Sequence, residues 1–146
     1  MKQLYGTVSA MNRQAQLMIK KDGDMQSIEI GQQGCISAIE GLQLRIYGIK
    51  ITTDQSLLTI PIIFIQDFNT LLELNAVAFT RIKQSPTTEA KGIVQISDNS
   101  TELIIYDCIF EDITIEGHGG IAIRIENDQE NSFDATIEGT QFNNIN

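Results

Sequence analysis

Hydrophobic and polar positions repeat along this chain in four segments that align without gaps. The segments begin at Leu42, Leu71, Glu102 and Asp134. Within each segment apolar and polar residues alternate, and Ile, Val, Phe and Thr are frequent, which predicts β-strands rather than helices. The positions that align on a large apolar residue are Ile51, Phe79, Phe110 and Phe142. Self-similarity at a period of roughly 20 to 50 residues is typical of a solenoid.

The same alignment predicts further ladders of inward-facing residues. Counting back from the aromatic position, these are Ile49, Val77, Cys108 and Thr140, then Ile46, Leu74, Ile105 and Ile137, then Leu44, Leu72, Leu103 and Ala135. Each of the last three units is preceded by a second, shorter strand, at Ile63–Ile65, Val94–Ile96 and Ile123–Ile125. The predicted fold class is all-β, a parallel β-helix of about four coils in which like residues stack about 4.8 Å apart.

The first 40 residues fit this register poorly. An Asp22-Gly23 pair between two apolar segments is a hairpin turn signal, so residues 1–40 are predicted to form either an N-terminal hairpin or an irregular first coil. Residues 41–146 are predicted to form the regular coils. No polar closing segment follows Phe142, and an uncapped coil exposes apolar ladders and strand edges. We therefore expect either a fragment that lacks its caps or a protein that stacks end to end.

The net charge of the chain limits the classes of partner that it is expected to bind. The chain of 146 residues has 10 basic and 19 acidic side chains and a net charge of −9, which argues against binding to nucleic acid or to an anionic membrane surface. The longest apolar run, residues 57–65, contains Thr59 and Pro61 and is too short to span a bilayer. No secretion signal is visible at the N-terminus. A cytoplasmic protein and a surface module within a longer chain are both compatible with this beginning.

The two cysteines, Cys35 and Cys108, fit neither a disulfide framework nor a zinc-binding spacing. Cys108 stands on a predicted inward ladder and is expected to be a small buried residue. No metal or cofactor is predicted.

Two strings near the C-terminus resemble a known family. Gly119-Gly120-Ile121-Ala122-Ile123, followed by Gln141-Phe142-Asn143-Asn144-Ile145, resembles the paired GGAI and FxxN motifs of polymorphic outer-membrane protein repeats. That family belongs to the right-handed parallel β-helices of the pectin-lyase-like class. The resemblance implies a non-enzymatic, adhesin-like or structural module at the cell surface, and a right-handed coil agrees with the general preference of parallel crossovers.

A polysaccharide-active enzyme is the alternative. Gly117-His118-Gly119 and Arg81-Ile82-Lys83 resemble polygalacturonase motifs, although the order of the two strings along the chain is reversed. Two carboxylates placed across a glycosidic bond are needed for hydrolysis, and the sequence assigns no such pair. No catalytic residue is therefore predicted.

Candidate binding residues fall into two groups. Four positions before the aromatic ladder stands an outward column of Tyr47, Asn75, Tyr106 and Glu138. Aromatic and amide groups on a rigid surface bind sugars by stacking and hydrogen bonding. The second group is an acidic corner formed by Glu111 and Asp112, with His118 in a nearby loop. Stacking places Arg81 one coil from Glu111 and Asp112, which predicts a solvated ion pair or, alternatively, a cation or sugar site. The predicted partners are glycans, surface proteins or further copies of the chain.

Overall fold

The computed structural model describes residues 8–9, 16–20, 26–32, 36–39, 41–53, 57–66, 70–85, 92–97, 102–117, 122–126 and 133–146. These residues form three parallel sheets. The first sheet contains β1 (Val8–Ser9), β4 (Ile36–Ile39), β7 (Ile63–Ile65), β10 (Val94–Ile96) and β13 (Ile123–Ile125). The second contains β2 (Gln16–Lys20), β5 (Gln43–Tyr47), β8 (Leu71–Asn75), β11 (Glu102–Tyr106) and β14 (Asp134–Glu138). The third contains β3 (Gln26–Ile30), β6 (Ile49–Thr53), β9 (Ala78–Gln84), β12 (Ile109–Ile115) and β15 (Gln141–Ile145).

Three consecutive strands make one coil, so that β1–β3 form coil 1 and β13–β15 form coil 5. Each strand pairs in parallel with its equivalents in the neighbouring coils. This confirms the predicted all-β parallel solenoid, whose right-handedness stays a prediction. Within the described ranges, no helix has the length and apolar content that crossing a membrane requires.

The strand register confirms three of the four predicted ladders. In the third sheet Ile51 pairs with Phe79, Phe79 with Phe110 and Phe110 with Phe142. The ring centroids lie 4.9 Å apart between Phe79 and Phe110 and 5.1 Å apart between Phe110 and Phe142, with the rings nearly parallel. In the second sheet Leu74 and Ile105 align with Ile46 and Ile137 in the same way. Alternation at two buries one face of strands such as β5, β8 and β11, and the coil spacing stacks like on like.

The described part of residues 1–40 takes coil form. Strand β2 pairs in parallel with β5 and sets Ile19 beside Ile46, while β3 pairs in parallel with β6 and sets Ile28 beside Ile51. A hairpin would instead pair β2 with β3, which lie in different sheets. Among the described residues each sheet accordingly has five strands, one coil more than the four aligned sequence segments indicate.

The corner between the second and third sheets is made by left-handed residues. The backbone φ is positive at Gly48 (64°), Ala76 (52°), Asp107 (50°) and Gly139 (61°). The N–H groups at this corner bond to the neighbouring coil, as when Ala76 donates to the carbonyl of Tyr106 at 3.0 Å. Residues with a Cβ adopt this conformation at a cost of roughly 1 to 2 kcal/mol, whereas glycine does not. The glycines at Gly48 and Gly139 are therefore explained by the turn itself.

We expect Ala76→Gly to stabilise the protein by about 0.5 to 1 kcal/mol, since relief of the left-handed strain outweighs the extra chain entropy of glycine. Gly48→Ala, the reverse change in the neighbouring coil, should destabilise it by a similar amount. Urea denaturation of both variants measures the two shifts. A loss of stability in Ala76→Gly would mean that its methyl group makes packing contacts that outweigh the strain.

Candidate functional site

A second column of left-handed residues lies inside the strands of the third sheet. Arg81 in β9, Asp112 in β12 and Asn144 in β15 have φ values of 54°, 54° and 52°. On both sides of this column the strands remain paired in register, for example Glu111 with Thr80 and Ile113 with Ile82. The same backbone kink is therefore repeated in three successive coils.

The kink breaks the alternation of buried and exposed residues. Phe79 and Ile82 are both fully buried although they stand three positions apart, and Arg81 between them is exposed. In a regular strand the side chains of residues three apart point to opposite faces. The left-handed residue turns the strand so that the side chain of Ile82 again points into the core. One continuous core therefore lies behind both halves of the strand.

A groove of about 630 Å³ runs across the outer face at this kink. It is lined by Glu29, Thr52, Thr53, Arg81, Lys83, Asp112, Thr114, Asn144 and Asn146. Every lining residue belongs to the third sheet or directly follows it, and the residues come from both sides of the kink. The groove therefore follows the solenoid axis, and from Glu29 in coil 1 to Asn146 beyond β15 it covers four coil steps, about 19 Å.

Hydrogen bonds between coils hold the kink column together. The Thr53 hydroxyl donates to the carbonyl oxygen of Arg81 at 3.3 Å. The Asn144 side-chain amide donates to Oδ1 of Asp112 at 2.9 Å. Thr80, immediately before the kink in coil 3, is buried, and its hydroxyl has no hydrogen-bond partner. Hydrogen bonds between coils therefore connect part of the column, and the unpaired Thr80 hydroxyl lies beside it.

Charge in the groove differs from charge on the rest of the molecule. Glu29 and Asp112 are acidic, whereas Arg81 and Lys83 are basic, come from the same coil and are exposed. In a chain with a net charge of −9, the groove lining is therefore neutral overall, and its two basic side chains stand together in coil 3. The expected ion pair between Arg81 and the acidic corner does not form: among the described residues Arg45 pairs with Glu73 and Arg124 with Glu126. Asp112 accepts its hydrogen bond from Asn144 instead.

The predicted column of Tyr47, Asn75, Tyr106 and Glu138 also exists. These residues align in register along the second sheet, and Lys20 continues the column into coil 1. Desolvation, together with a hydrogen bond to Glu73 and the charge of that carboxylate, raises the pKa of Tyr47. The Glu73 carboxylate also accepts from Nε of Arg45 at 3.0 Å. None of the column's members lines the groove.

The structure divides the predicted acidic corner. Asp112 lines the groove, whereas Glu111, one residue earlier, pairs with Thr80 and Asn143 and does not. His118 lies outside the described residues. The lining residues that the sequence did not single out as a site are Glu29, Thr52, Thr53, Lys83, Thr114, Asn144 and Asn146. Their signal in the sequence was alignment, since Thr53, Arg81, Asp112 and Asn144 all stand two residues after the aromatic ladder.

Cys108 has the structural role that its position predicts. It is fully buried, its thiol is free, and its Sγ donates to the carbonyl oxygen of Tyr106 at 3.3 Å. Burial raises the pKa of the Cys108 thiol. Cys35 lies outside the described residues. In the part of the chain that the structure describes, no cluster of three or more His, Cys, Asp or Glu side chains could hold a metal ion.

No protein-family model matches the chain, and no curated protein or solved structure matches it either. The residues of the groove and their geometry therefore carry the functional inference.

Proposed function

We propose that this chain is a non-enzymatic binding module whose groove takes an extended glycan along the solenoid axis. The observation that supports this is the repeated kink at Arg81, Asp112 and Asn144, which creates a polar groove across successive coils. A polymer with a regular chemical repeat suits a surface on which donors and acceptors recur once per coil. Protein partners with an extended polar segment are the competing ligands.

The chemistry of the lining favours sugars. Hydroxyl, amide, guanidinium and carboxylate groups can each exchange hydrogen bonds with sugar hydroxyls, and the groove contains all four. At its centre Arg81 and Lys83 present charged donors that remain outside the ion pairs described above. Charge-assisted hydrogen bonds to a carboxylate are about twice as strong as neutral ones. We therefore propose a glycan that carries acidic groups, with one of them at Arg81 and Lys83.

The strained backbone at Arg81 also supports the proposal that an acidic group of the glycan binds there. Arginine in the left-handed region is uncommon, and such backbone outliers cost of order 1 to 3 kcal/mol and cluster at functional sites. Asp112 and Asn144 tolerate the conformation better because their short polar side chains can hydrogen-bond locally. An arginine at the strained position of coil 3 is therefore best explained by what its guanidinium contacts in the groove.

The spacing of carboxylates supports binding over hydrolysis. Among the described groove residues, the carboxylates are Glu29 and Asp112, which stand three coils apart, about 14 Å at the coil spacing. Glycosidases that use two carboxylates hold them about 5 to 9.5 Å apart. The polysaccharide-active alternative would need a second acid from elsewhere.

A surface location belongs to the proposal as well. A parallel solenoid is the fold that the resemblance to polymorphic outer-membrane protein repeats implies, and its rigid lateral groove suits an adhesin-like module. We therefore propose membership of the pectin-lyase-like class and a position at the cell surface or outside the cell.

The test is a glycan array, followed by calorimetry with the strongest acidic glycan on three variants. Arg81→Asn and Lys83→Thr each introduce the residue type that another coil has at the equivalent position, Asn144 and Thr114. We expect each to weaken binding by about tenfold or more, because a charged hydrogen bond is worth about 1.5 to 3 kcal/mol. Lys50→Gln, which removes the same charge outside the groove, should leave the affinity unchanged. An array without hits, or equal affinity in all variants, would refute the groove as the site.

A further inference from the structure

Opposite charges stand one coil apart in the groove. Arg81 and Lys83 belong to β9 in coil 3, and Asp112 belongs to β12 in coil 4. The register of these two strands places Arg81 and Asp112 at the same position of consecutive coils. The groove therefore changes from positive to negative over one coil step, about 4.8 Å.

Coil 4 contributes an acidic section to the groove. Where coil 3 has Lys83, coil 4 has the uncharged Thr114. Glu111, one residue before Asp112, does not line the groove but is partly exposed and adds a second carboxylate to the same coil. The basic section in coil 3 is therefore followed directly by an acidic section in coil 4.

The two sections do not neutralise each other. Among the described residues, the salt bridges involve neither Arg81 nor Lys83 nor Asp112. Asp112 is exposed, and its Oδ1 accepts one hydrogen bond from Asn144. A carboxylate has about four acceptor sites in all, so Asp112 can accept further donors. Both signs of charge are therefore available to a ligand in the groove.

We infer that the groove takes a zwitterionic glycan, in which an acidic sugar is followed by an amino sugar. This inference rests on the proposed function, in which an acidic group of a glycan binds at Arg81 and Lys83. A sugar in an extended chain is similar in length to one coil step, about 4.8 Å, so the next sugar lies over coil 4. There an ammonium group can donate to the Asp112 carboxylate, whereas a second acidic group would meet a like charge.

The rest of the lining suits such a chain. In coil 2 the lining residues are Thr52 and Thr53, and at coil 5 they are Asn144 and, directly after β15, Asn146. Their hydroxyl and amide groups are uncharged and can exchange hydrogen bonds with sugars of either charge. Four sugars in which amino and acidic groups alternate can therefore extend from coil 2 to coil 5, with one charge of each sign matched at coils 3 and 4.

The test compares two tetrasaccharides of glucuronate alternating with glucosamine, one with free amino groups and one with these groups acetylated. Both keep the carboxylates that Arg81 and Lys83 would bind, and only the charge of the amino sugars differs. At about pH 6, where an amine with a pKa near that of an α-amino group is protonated, we expect calorimetry to show about tenfold tighter binding of the free amine. At about pH 9 the preference should largely disappear, because the amine is then neutral.

Three variants assign the preference to its residue. Asp112→Asn introduces the residue that coil 5 has at the equivalent position and should reduce the preference to about twofold or less, while the acetylated glycan binds as before. Arg81→Asn should instead weaken both glycans to a similar degree, since both contain the carboxylate. Glu102→Gln, which removes a carboxylate from the second sheet outside the groove, should keep the full preference.

Equal binding of the two glycans by the wild type, or a preference that Asp112→Asn leaves unchanged, would overturn the inference while the proposed function stands. Binding of neither glycan would overturn it as well, and Arg81→Asn with the strongest acidic glycan of the array would then show whether the groove is still a glycan site. Circular dichroism of each variant checks that the fold is kept, which we expect because all three side chains are exposed.

Discussion

Phe110→Ala should lower the free energy of unfolding by about 3 to 5 kcal/mol, the usual cost of removing a buried aromatic side chain. Phe110 is fully buried and stacks on Phe79 on one side and on Phe142 on the other, with centroid distances of 4.9 and 5.1 Å. Its removal leaves a cavity between two coils that cannot collapse easily, because the paired strands of the third sheet fix the coil spacing. Two stacking contacts are lost as well, each worth about 0.5 to 1.5 kcal/mol beyond the buried area.

Phe142→Ala is the matched control, since it removes the same side chain from the same ladder. Phe142 is 47% exposed and stacks on one ring rather than two, so we expect a loss below about 2 kcal/mol. Urea denaturation measures the loss of stability in both variants. Equal losses in the two variants would show that burial of the Phe110 ring between two coils contributes no more stability than the half-exposed Phe142 ring.

The ladders were predictable because each coil repeats the same physical demand. A parallel coil stacks residue on residue, so the inward position of one coil must accept the apolar group of the next. Phe79, Phe110 and Phe142 follow one another at that position, and the alignment of their segments needs no gaps. Coil 1 was harder to see because the Asp22-Gly23 pair between its two apolar segments imitates a hairpin turn.

The site was less predictable because its cause is a backbone conformation. Arg81, Asp112 and Asn144 share a left-handed φ, yet they differ in charge and size. Asn and Asp at two of the three positions favour that conformation. A second trace of the kink is that Ile82 resumes the apolar pattern one position later than alternation from Phe79 requires. Tyr47 and Tyr106 stood out by chemistry and align as expected, but the concave surface lies elsewhere.

Gln84→Ile should destabilise the protein by about 2 to 4 kcal/mol, because it leaves two buried backbone groups without partners. Gln84 is fully buried at the end of β9, in the column where coil 4 has Ile115. Its Oε1 accepts from the N–H of Gly92 at 2.9 Å, and its Nε2 donates to the carbonyl oxygen of Gly92 at 3.2 Å. The amide therefore pairs with Gly92 as a neighbouring strand would. Urea denaturation gives the loss, and hydrogen exchange at the Gly92 amide localises it.

Gln84→Met separates hydrogen bonding from packing, since methionine has nearly the length and volume of glutamine but no amide. If the two hydrogen bonds carry the effect, Met and Ile at this position cost about the same, and exchange at the Gly92 amide becomes faster in both. A Met variant as stable as the wild type would assign the loss in Gln84→Ile to the shape of the β-branched side chain. The first outcome is expected because Gly92 is buried and its left-handed φ of 98° keeps it out of the regular strand pairing that supports Val94. The buried Gln84 side chain would then hold the backbone at the point where coil 3 ends and coil 4 begins.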